Sequence, residues 1–438
     1  MNARPPRLPL YILLSMGYNN AVNILPKGGT AMPDFIRATA AQIKEKKALA
    51  LERIRSFHIR PIGNSPGNVF LISTAYPGVW MEHAFDALCW AQIQGTEEAK
   101  QVALAQMLLF IINRREDGHL PYKVIDLTIA GPQWQKDTPN GYGQLQECVS
   151  FGRLCFDTYL LTGDTEFLKE AYAALKGWDE WLVNNRMTLG RGLIETFCVY
   201  DTGHDNSARF SDIPNGCPDK QGKTYADRPA LPILSPDMNA VFFGDRMALS
   251  DMAGALGLES EKQAWIKKAN DVRDAMFCQL YDKNDDFFYD VDRAGQMRRI
   301  KTVAITNVFT EKVLTQPEFD RIYERHMLSP DEFGTPYPFP SVALTDSARY
   351  EHAPKNCWGY YSQALTALRA QFWMDFYGRG ADYDALLDKW MHVYAAQEAP
   401  ALFTQELDPV TGVPTDCSRW YSAAMLTYLY AVKRLNAD

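Results

Sequence analysis

The chain has 438 residues, 47% of them hydrophobic and 12% aromatic, and a formal net charge of −8. That length supports a large core and one to three domains, while an acidic balance with no basic block beyond "KEKK" argues against nucleic acid or an anionic membrane surface as a partner. No apolar stretch is long enough to span a membrane, and the eight cysteines form no CxxC pair, so no metal or redox motif is expected and the thiols fit a reduced, cytoplasmic protein.

At the N-terminus, "RPPRLPLYILLSMG" sets basic residues before a short apolar run in the manner of a signal peptide. The run is short, however, and no small-x-small cleavage site follows it. "KGGTAM" (27–32) is compatible with a purine-rich ribosome-binding stretch ahead of a start codon. Residues 1–31 are therefore expected to be a translated leader or non-native extension, with Met32 as the natural start.

From Met32 onward, apolar residues recur at helical spacing over 34–57, 79–94, 97–114, 143–162, 165–186, 237–257, 259–280, 303–313, 315–327, 357–376, 381–397 and 418–435. Cap-like residues open several of them: Thr96, Asp164, Asp237, Ser260 and Ser418. "DDFFYDVD" (285–292) is the best strand signal and predicts a short hairpin. The surrounding "DKNDDFFYDVD" spaces its carboxylates like a calcium loop. It lacks the central Gly, and Arg293 stands where the last Glu belongs, so a solvated hairpin is expected and no metal.

Connections alternate in length. "TGDTEF" (162–167) and "LGLESEK" (256–262) are tight, whereas 115–142, 187–236, 328–356 and 398–417 are long and rich in Gly, Pro, Asp and aromatics. Helical hairpins with short turns at one end and long loops at the other predict an all-α toroid, an (α/α) barrel of six hairpins, formed by one domain over 32–438. The alternatives are an α-solenoid, which a missing fixed-period repeat disfavours, or two helical bundles, which the absence of a Gly/Ser linker disfavours.

The long loops hold most of the polar and aromatic chemistry. "YPGVWMEHAF" (76–85) brings Tyr76, Trp80, Glu82 and His83; "DGHLP" (117–121) brings His119; "GYGQLQE" (141–147) brings Gln144 and Glu147. "DTGHDNSARF" (201–210) follows Glu195 and Tyr200 and holds Asp201, Gly203, His204, Asp205, Asn206 and Arg209. Further on come Asn239, Trp358 in "NCWGYYSQ", Gln405 and Glu406 in "FTQELDPVTG", then Trp420 and Tyr421. Aromatic faces beside carboxylates and amides suit a sugar, whose ring stacks and whose hydroxyls hydrogen-bond. Glycoside hydrolysis adds a demand for two carboxyl groups across the scissile bond. Asp205, near Asp201 and Glu195 in sequence, is placed to have its pKa raised, and Glu406 lies on a distant loop that a closed ring can bring opposite. The plain alternatives are a capping acid for Asp205, a solvated loop acid for Glu406, a capped loop residue for His119 and core packing for Trp80, Trp358, Trp420 and Tyr421.

These segments resemble the clan G inverting glycosidases: family 63 α-glucosidases, mannosylglycerate and glucosylglycerate hydrolases, and family 37 trehalases. "DTGHDNSARF" is similar to their "ESG-x-DNSPR", "FTQELDPVTG" to "E-x-Y-D/N-P-x-T-G", "DGHLP" to "DGHIP", "SPDMNAVFFGDRMALSDMAGALG" to their D-L-N helix and "SRWYSAAM" to "FSWTAAL". The resemblance runs in order over about 76–425. It implies an (α/α) barrel, an inverting mechanism, Asp205 as general acid and Glu406 as general base. It departs at "MEHAF", where Glu82 replaces the usual sugar-holding Asp; at "NCWGYYSQ", which keeps Trp358 but lacks the family's arginine; and at Asp201, which replaces a Glu. Asp201 and Glu82 are expected to bind substrate or tune a pKa. Gly203 is expected to let the chain fold back, so that Asp201 meets a hydroxyl or Arg209.

The expected function is thus an exo-acting inverting α-glycosidase for a small α-glucoside or short oligosaccharide. It needs no cofactor; its expected partner is a small carbohydrate, and the sequence does not set the oligomeric state. The alternatives are a sugar 2-epimerase on the same toroid, relying on histidines such as His204 or His392, and a non-catalytic sugar-binding protein.

Overall fold

Twelve α-helices run through the described residues: α1 (Ala40–Arg53), α2 (Phe85–Gln94), α3 (Glu97–Ile112), α4 (Phe151–Thr162), α5 (Thr165–Arg186), α6 (Pro236–Ala255), α7 (Glu259–Gln279), α8 (Ile305–Thr310), α9 (Gln316–Ile322), α10 (Ala364–Arg369), α11 (Gly380–Ala396) and α12 (Ser422–Arg434). The computed structural model describes residues 35–134, 137–217, 228–351 and 357–437. The expected leader, 1–31, lies outside them. From Phe35 onward the described residues form one compact unit.

The even-numbered helices form a closed inner ring. Contacts run α2 to α4, α4 to α6, α6 to α8, α8 to the short 3-10 turn after α10, α10 to α12, and α12 back to α2. Odd-numbered helices pack outside, α3 on α2, α5 on α4, α7 on α6 and α11 on α12, with α1 bridging α11 and α12. Phe319 of α9 stacks on Tyr377, with ring centroids 3.9 Å apart, and meets Phe309 of α8 edge-on. This is the arrangement of an (α/α) six-hairpin barrel. The residue pattern explains the layers: α12 and α6 bury nearly every side chain, whereas α7 buries only Trp265, Ala269, Val272 and Met276 along one stripe.

Tight turns join inner to outer helices. Gly95 and Gly163 end α2 and α4 in the left-handed conformation, with φ of 67° and 73°. The next residues, Thr96 and Asp164, cap the following helices through side-chain oxygens. Three expected caps differ. Ser235, not Asp237, stands before α6, and the Asp237 carboxylate is engaged by Arg209; Ser260 lies inside the first turn of α7; and Tyr421, not Ser418, precedes α12. The helix expected from 143 begins only at Phe151, and that expected from 357 only at Ala364. The hairpin expected over 285–292 is instead two short ribbons, Tyr281–Asp282 with Phe287–Phe288 and Asp290–Val291 with Met297–Arg298, and 287–291 are buried rather than solvated because their aromatic and apolar side chains join the core.

Among the described residues no helix is long and apolar enough to cross a membrane. Three buried acids meet at the N-terminus of α4. Glu311 accepts from the Ser150 N–H (2.9 Å), Asp245 from Ser150 Oγ (2.7 Å) and the Gly152 N–H (2.8 Å), and Glu147 from the Phe151 N–H (2.8 Å). Burial pushes the Glu311 carboxyl up to about 8 and Asp245 up to about 6. Burial first, and then Asp245, hold Glu147 well above its ordinary value.

Candidate active site

The long loops meet over one end of the ring and enclose a cavity of about 480 Å³, within the range of small-ligand sites. Its wall includes Tyr76, Trp80, Glu82, Gln144, Tyr200, Gly203, Asp205, Trp358 and Tyr421 of the expected residues, together with His83, Asn206 and Gln405.

Asp205 is partly exposed in this wall. Its position follows from the loop around it. Asn206 and Gly203 take left-handed φ of 57° and 70°. At Gly203 a side chain would collide with the Glu82 carboxylate and Cys148 Sγ, so the missing Cβ lets the loop close onto Glu82. Behind it His204 stacks on Trp358, with ring centroids 4.3 Å apart, and holds that indole toward the cavity. Burial keeps His204 neutral, its pKa pushed down to about 3.

Glu406 sits in a two-stranded ribbon, where Glu406 faces Gln363 and Leu407 faces Ser362. It is 1% exposed and does not itself line the cavity, although its neighbour Gln405 does. The Cys357 N–H donates to Glu406 Oε1 at 2.9 Å, and the next amide, that of Trp358, donates to the Asp205 carbonyl at 3.3 Å. One dipeptide therefore ties the two acid-bearing loops together. Burial pushes the Glu406 carboxyl up to about 7, against the lowering effect of the Cys357 amide and of Cys417, Gln363 and Thr415.

Around the pair, burial and then Asp205, Cys417 and Glu82 hold the Tyr76 hydroxyl well above its ordinary value, so it remains a neutral donor. Burial raises Glu82, opposed by His83 and Arg369. His83 bridges Asp86 (2.9 Å) and the Tyr421 hydroxyl (2.7 Å), fixing Tyr421 in the wall. Tyr76, Trp80 and Trp134 form an aromatic run, each pair edge-on at 5.6 and 5.4 Å.

Besides Glu406, six residues singled out in the sequence do not line the cavity. Asp201 is fully buried, and its carboxylate accepts from Arg186 Nη1 (2.6 Å), the Phe197 N–H (2.7 Å) and the Leu145 N–H (2.8 Å). It meets neither a hydroxyl nor Arg209. Instead it ties α5 to the segment carrying Gln144 and Gln146, both in the wall. Arg209 is clamped by Asp237 and Asp290 at 2.7–2.8 Å. Glu195 accepts from Thr188 and Leu189, so it does not bear on Asp205. Asn239 pins the backbone of Ile194 from both sides, at 2.8 and 3.0 Å. His119 is buried against Trp181, centroids 3.8 Å apart, and burial pushes its pKa down to about 3. Trp420 packs on Phe403 and lies near the Arg53 guanidinium. Asp201, Arg209 and Asn239 are taken up by partners from other segments, and His119 and Trp420 by aromatic packing.

Tyr122, Lys123, Trp134, Asp137, Gln146 and Asn215 also line the cavity, and sequence reasoning passed over them individually. The signal was the length of the loops that carry them. The strands Gly78–Trp80 and Lys123–Ile125 pair with Trp80 opposite Lys123. Among the described residues one group has metal-like spacing, Cys198, Asp201 and Cys217. The Arg186 guanidinium occupies Asp201 and lies 3.9 Å from Cys217 Sγ, which opposes a cation there. All eight cysteines are free thiols.

Residues 101–422 match the mannosylglycerate hydrolase MGH1-like glycoside hydrolase domain. Similar solved structures include a GH63 mannosylglycerate hydrolase from Thermus thermophilus in complex with glucose, at TM-score 0.67 and 18% identity, covering 88% of this chain and 99% of that one. The same protein in complex with Tris and D-glycerate matches at TM-score 0.67 and 18% identity, over 89% and 99%. Neutral trehalase from Saccharomyces cerevisiae matches at TM-score 0.61 and 10% identity, over 93% and 80%. No curated protein sequence matches the chain.

Proposed function

The chain belongs to the MGH1-like glycoside hydrolase family, and from that premise we propose that it is an inverting, exo-acting α-glycosidase cleaving a small α-glucoside or short oligosaccharide, with Asp205 as general acid and Glu406 as general base. The observation that supports this reading is the Cys357–Trp358 dipeptide, whose consecutive amides donate to Glu406 and to the backbone of Asp205, a cavity-lining residue. A cavity of about 480 Å³ walled by loops fits a short ligand better than a polymer.

In the proposed reaction the Asp205 carboxyl gives its proton to the glycosidic oxygen as the bond to the anomeric carbon breaks. Glu406 takes a proton from a water whose oxygen bonds to that carbon from the opposite face, so the product has the opposite anomeric configuration. A base whose pKa lies near 7 matches the operating range. Tyr76, Glu82 and the Trp80 face supply hydroxyl contacts and stacking. We read 32–438 as one catalytic domain working in the cytoplasm, in keeping with its free thiols.

The epimerase alternative loses its histidines. His204 is stacked behind the wall, and His392 accepts from the Ala38 N–H at 3.0 Å on α11, away from the cavity residues.

The test is a panel of aryl α- and β-glycosides and small glucosides, with the first-formed anomer read by NMR. Inverted product is expected. Asp205→Asn should abolish turnover of poor leaving groups and spare more on activated aryl glycosides, which need little protonation. Retained configuration, or equal loss on both substrate types, would overturn the assignment.

A further inference from the structure

We propose that Cys198 and Cys217 form a redox-modification site, a thiol pair that a peroxide converts into a disulfide closing the Asp205 loop at its neck. The chemistry of the pair is separate from the reaction of the cavity; only the activity expected of the oxidised protein rests on the glycosidase reading.

The two sulfurs already touch, with Cys217 Sγ 3.3 Å from Cys198 Sγ. Eighteen residues, 199–216, separate them in the chain, among them Asp201, Gly203, Asp205 and Asn206. Backbone bonds set the two ends of this loop side by side. The Val199 N–H donates to the Pro214 carbonyl at 3.0 Å, and the Tyr200 N–H to the Asn215 carbonyl at 2.9 Å. Tyr200 and Asn215 both line the main cavity, as does Asp205 at the loop's middle. An approach of roughly 1 Å brings the sulfurs to the ~2.05 Å of a disulfide.

The pair is asymmetric. Cys198 is fully buried, whereas Cys217 is half-buried and lines a second cavity of about 340 Å³ beside Tyr142 and Gln144. Arg186 Nη2 lies 3.9 Å from Cys217 Sγ, and a guanidinium beside a sulfur is a setting in which thiols react. Burial, and then the bond to Cys217, hold the Cys198 thiol well above its ordinary range, so it stays protonated. Cys217 therefore reacts first. Its sulfur attacks one oxygen of hydrogen peroxide, the O–O bond breaks, and the thiol proton leaves with the departing oxygen as water, giving a sulfenic acid. The Cys198 sulfur then attacks the Cys217 sulfur. The S–S bond forms, the S–O bond breaks, and the Cys198 proton joins the departing hydroxyl as a second water. Two thiols lose two electrons and one peroxide gains them; a small dithiol reverses the change by exchange. The disulfide stabilises by closing the loop in the unfolded chain as well, and it leaves Asp205 where it stands.

The test treats the reduced full-length chain with hydrogen peroxide, in a Cys278→Ser background because that thiol is exposed. Thiols are counted after denaturation and peptides are mapped without reduction. Two thiols should disappear, a single linkage should join the Cys198 and Cys217 peptides, and dithiothreitol should restore both thiols. Closing a loop of this length should raise Tm by about 4 °C, while kcat/KM on an α-glucoside stays within twofold of the reduced protein. Cys217→Ser should keep the basal turnover and abolish both the linkage and the rise in Tm. Cys198→Ala should do the same from the other sulfur, so that either variant decides should the other not fold. An unchanged thiol count, a linkage between other cysteines, or a linked protein that gains no stability or loses turnover would overturn the proposal and leave the glycosidase reading standing. Absence of turnover in the reduced protein would count against that reading alone.

Discussion

Replacing Asp201 by Asn should damage stability and activity together. The carboxylate has no exposed surface and is matched by an equally buried Arg186. Besides both guanidinium nitrogens it accepts from the backbone of Phe197 and Leu145. Asn preserves the volume but removes the charge and turns an NH₂ toward a donor. Breaking a buried ion pair from one side costs roughly 3–5 kcal/mol. Arg186 keeps the Glu195 and Gly143 carbonyls as partners, so the lower end applies, about 3 kcal/mol, with about 1 kcal/mol more for a stranded N–H. A loss of about 4 kcal/mol is a large part of a typical 5–15 kcal/mol total. With an unfolding entropy of ~2.1 cal/mol/K per residue over roughly 400 residues, Tm should fall by about 5 °C. Because Asp201 anchors the segment bearing Gln144 and Gln146, kcat/KM on a small α-glucoside should fall as well. Thermal unfolding and steady-state kinetics on the same preparation make the assay. A raised KM with Tm within a degree of the parent protein would refute this account, and would fit an aspartate that touches sugar.

Glu406 must be ionised to act as a base, so kcat/KM should decline as pH falls through about 7, and Glu406→Gln should remove both the turnover and that limb of the pH–rate profile. Gly203→Ala should raise KM and lower kcat, since a left-handed non-glycine residue costs about 1–2 kcal/mol and the new methyl displaces Glu82 and Cys148; kinetics and Tm on the purified variant test this. Glu311, raised to about 8 by burial, holds a proton that the unfolded chain gives up above its ordinary carboxylate range. Its contribution to stability is complete below that range and is lost as pH rises through about 8, with a slope approaching 1.4 kcal/mol per pH unit. Denaturant titrations from pH 5 to 9 should show this decline, and Glu311→Gln should lessen it, leaving the part due to Glu147 and Asp245.

Much of the architecture was legible because its causes are local. Helical periodicity, together with Gly95–Thr96 and Gly163–Asp164, where a left-handed glycine is followed at once by a capping side chain, marks the hairpins without reference to distant residues. The alternation of tight turns with long polar loops pointed to a ring with one functional end. The two carboxylates stood out through their sequence context, and the cavity residues Tyr76, Trp80, Glu82 and Tyr421 through aromatic and acidic chemistry close to helix starts.

Tertiary structure decided which of these polar groups face the cavity. Asp201 and Asp205 lie four residues apart in one loop, and no local rule separates them. Arg186, arriving from the end of α5, claims Asp201, whereas Asp205 remains in the cavity wall. Arg209 and Asn239 were likewise taken by partners from other segments. Lys123, Trp134 and Asp137 come together only when a strand pairing sets Lys123 against Trp80 and the loop after it folds over. Periodicity and capping are short-range and survive in the sequence. A buried charge instead takes its role from whichever counter-charge the folded chain delivers, since burial makes that pairing obligatory.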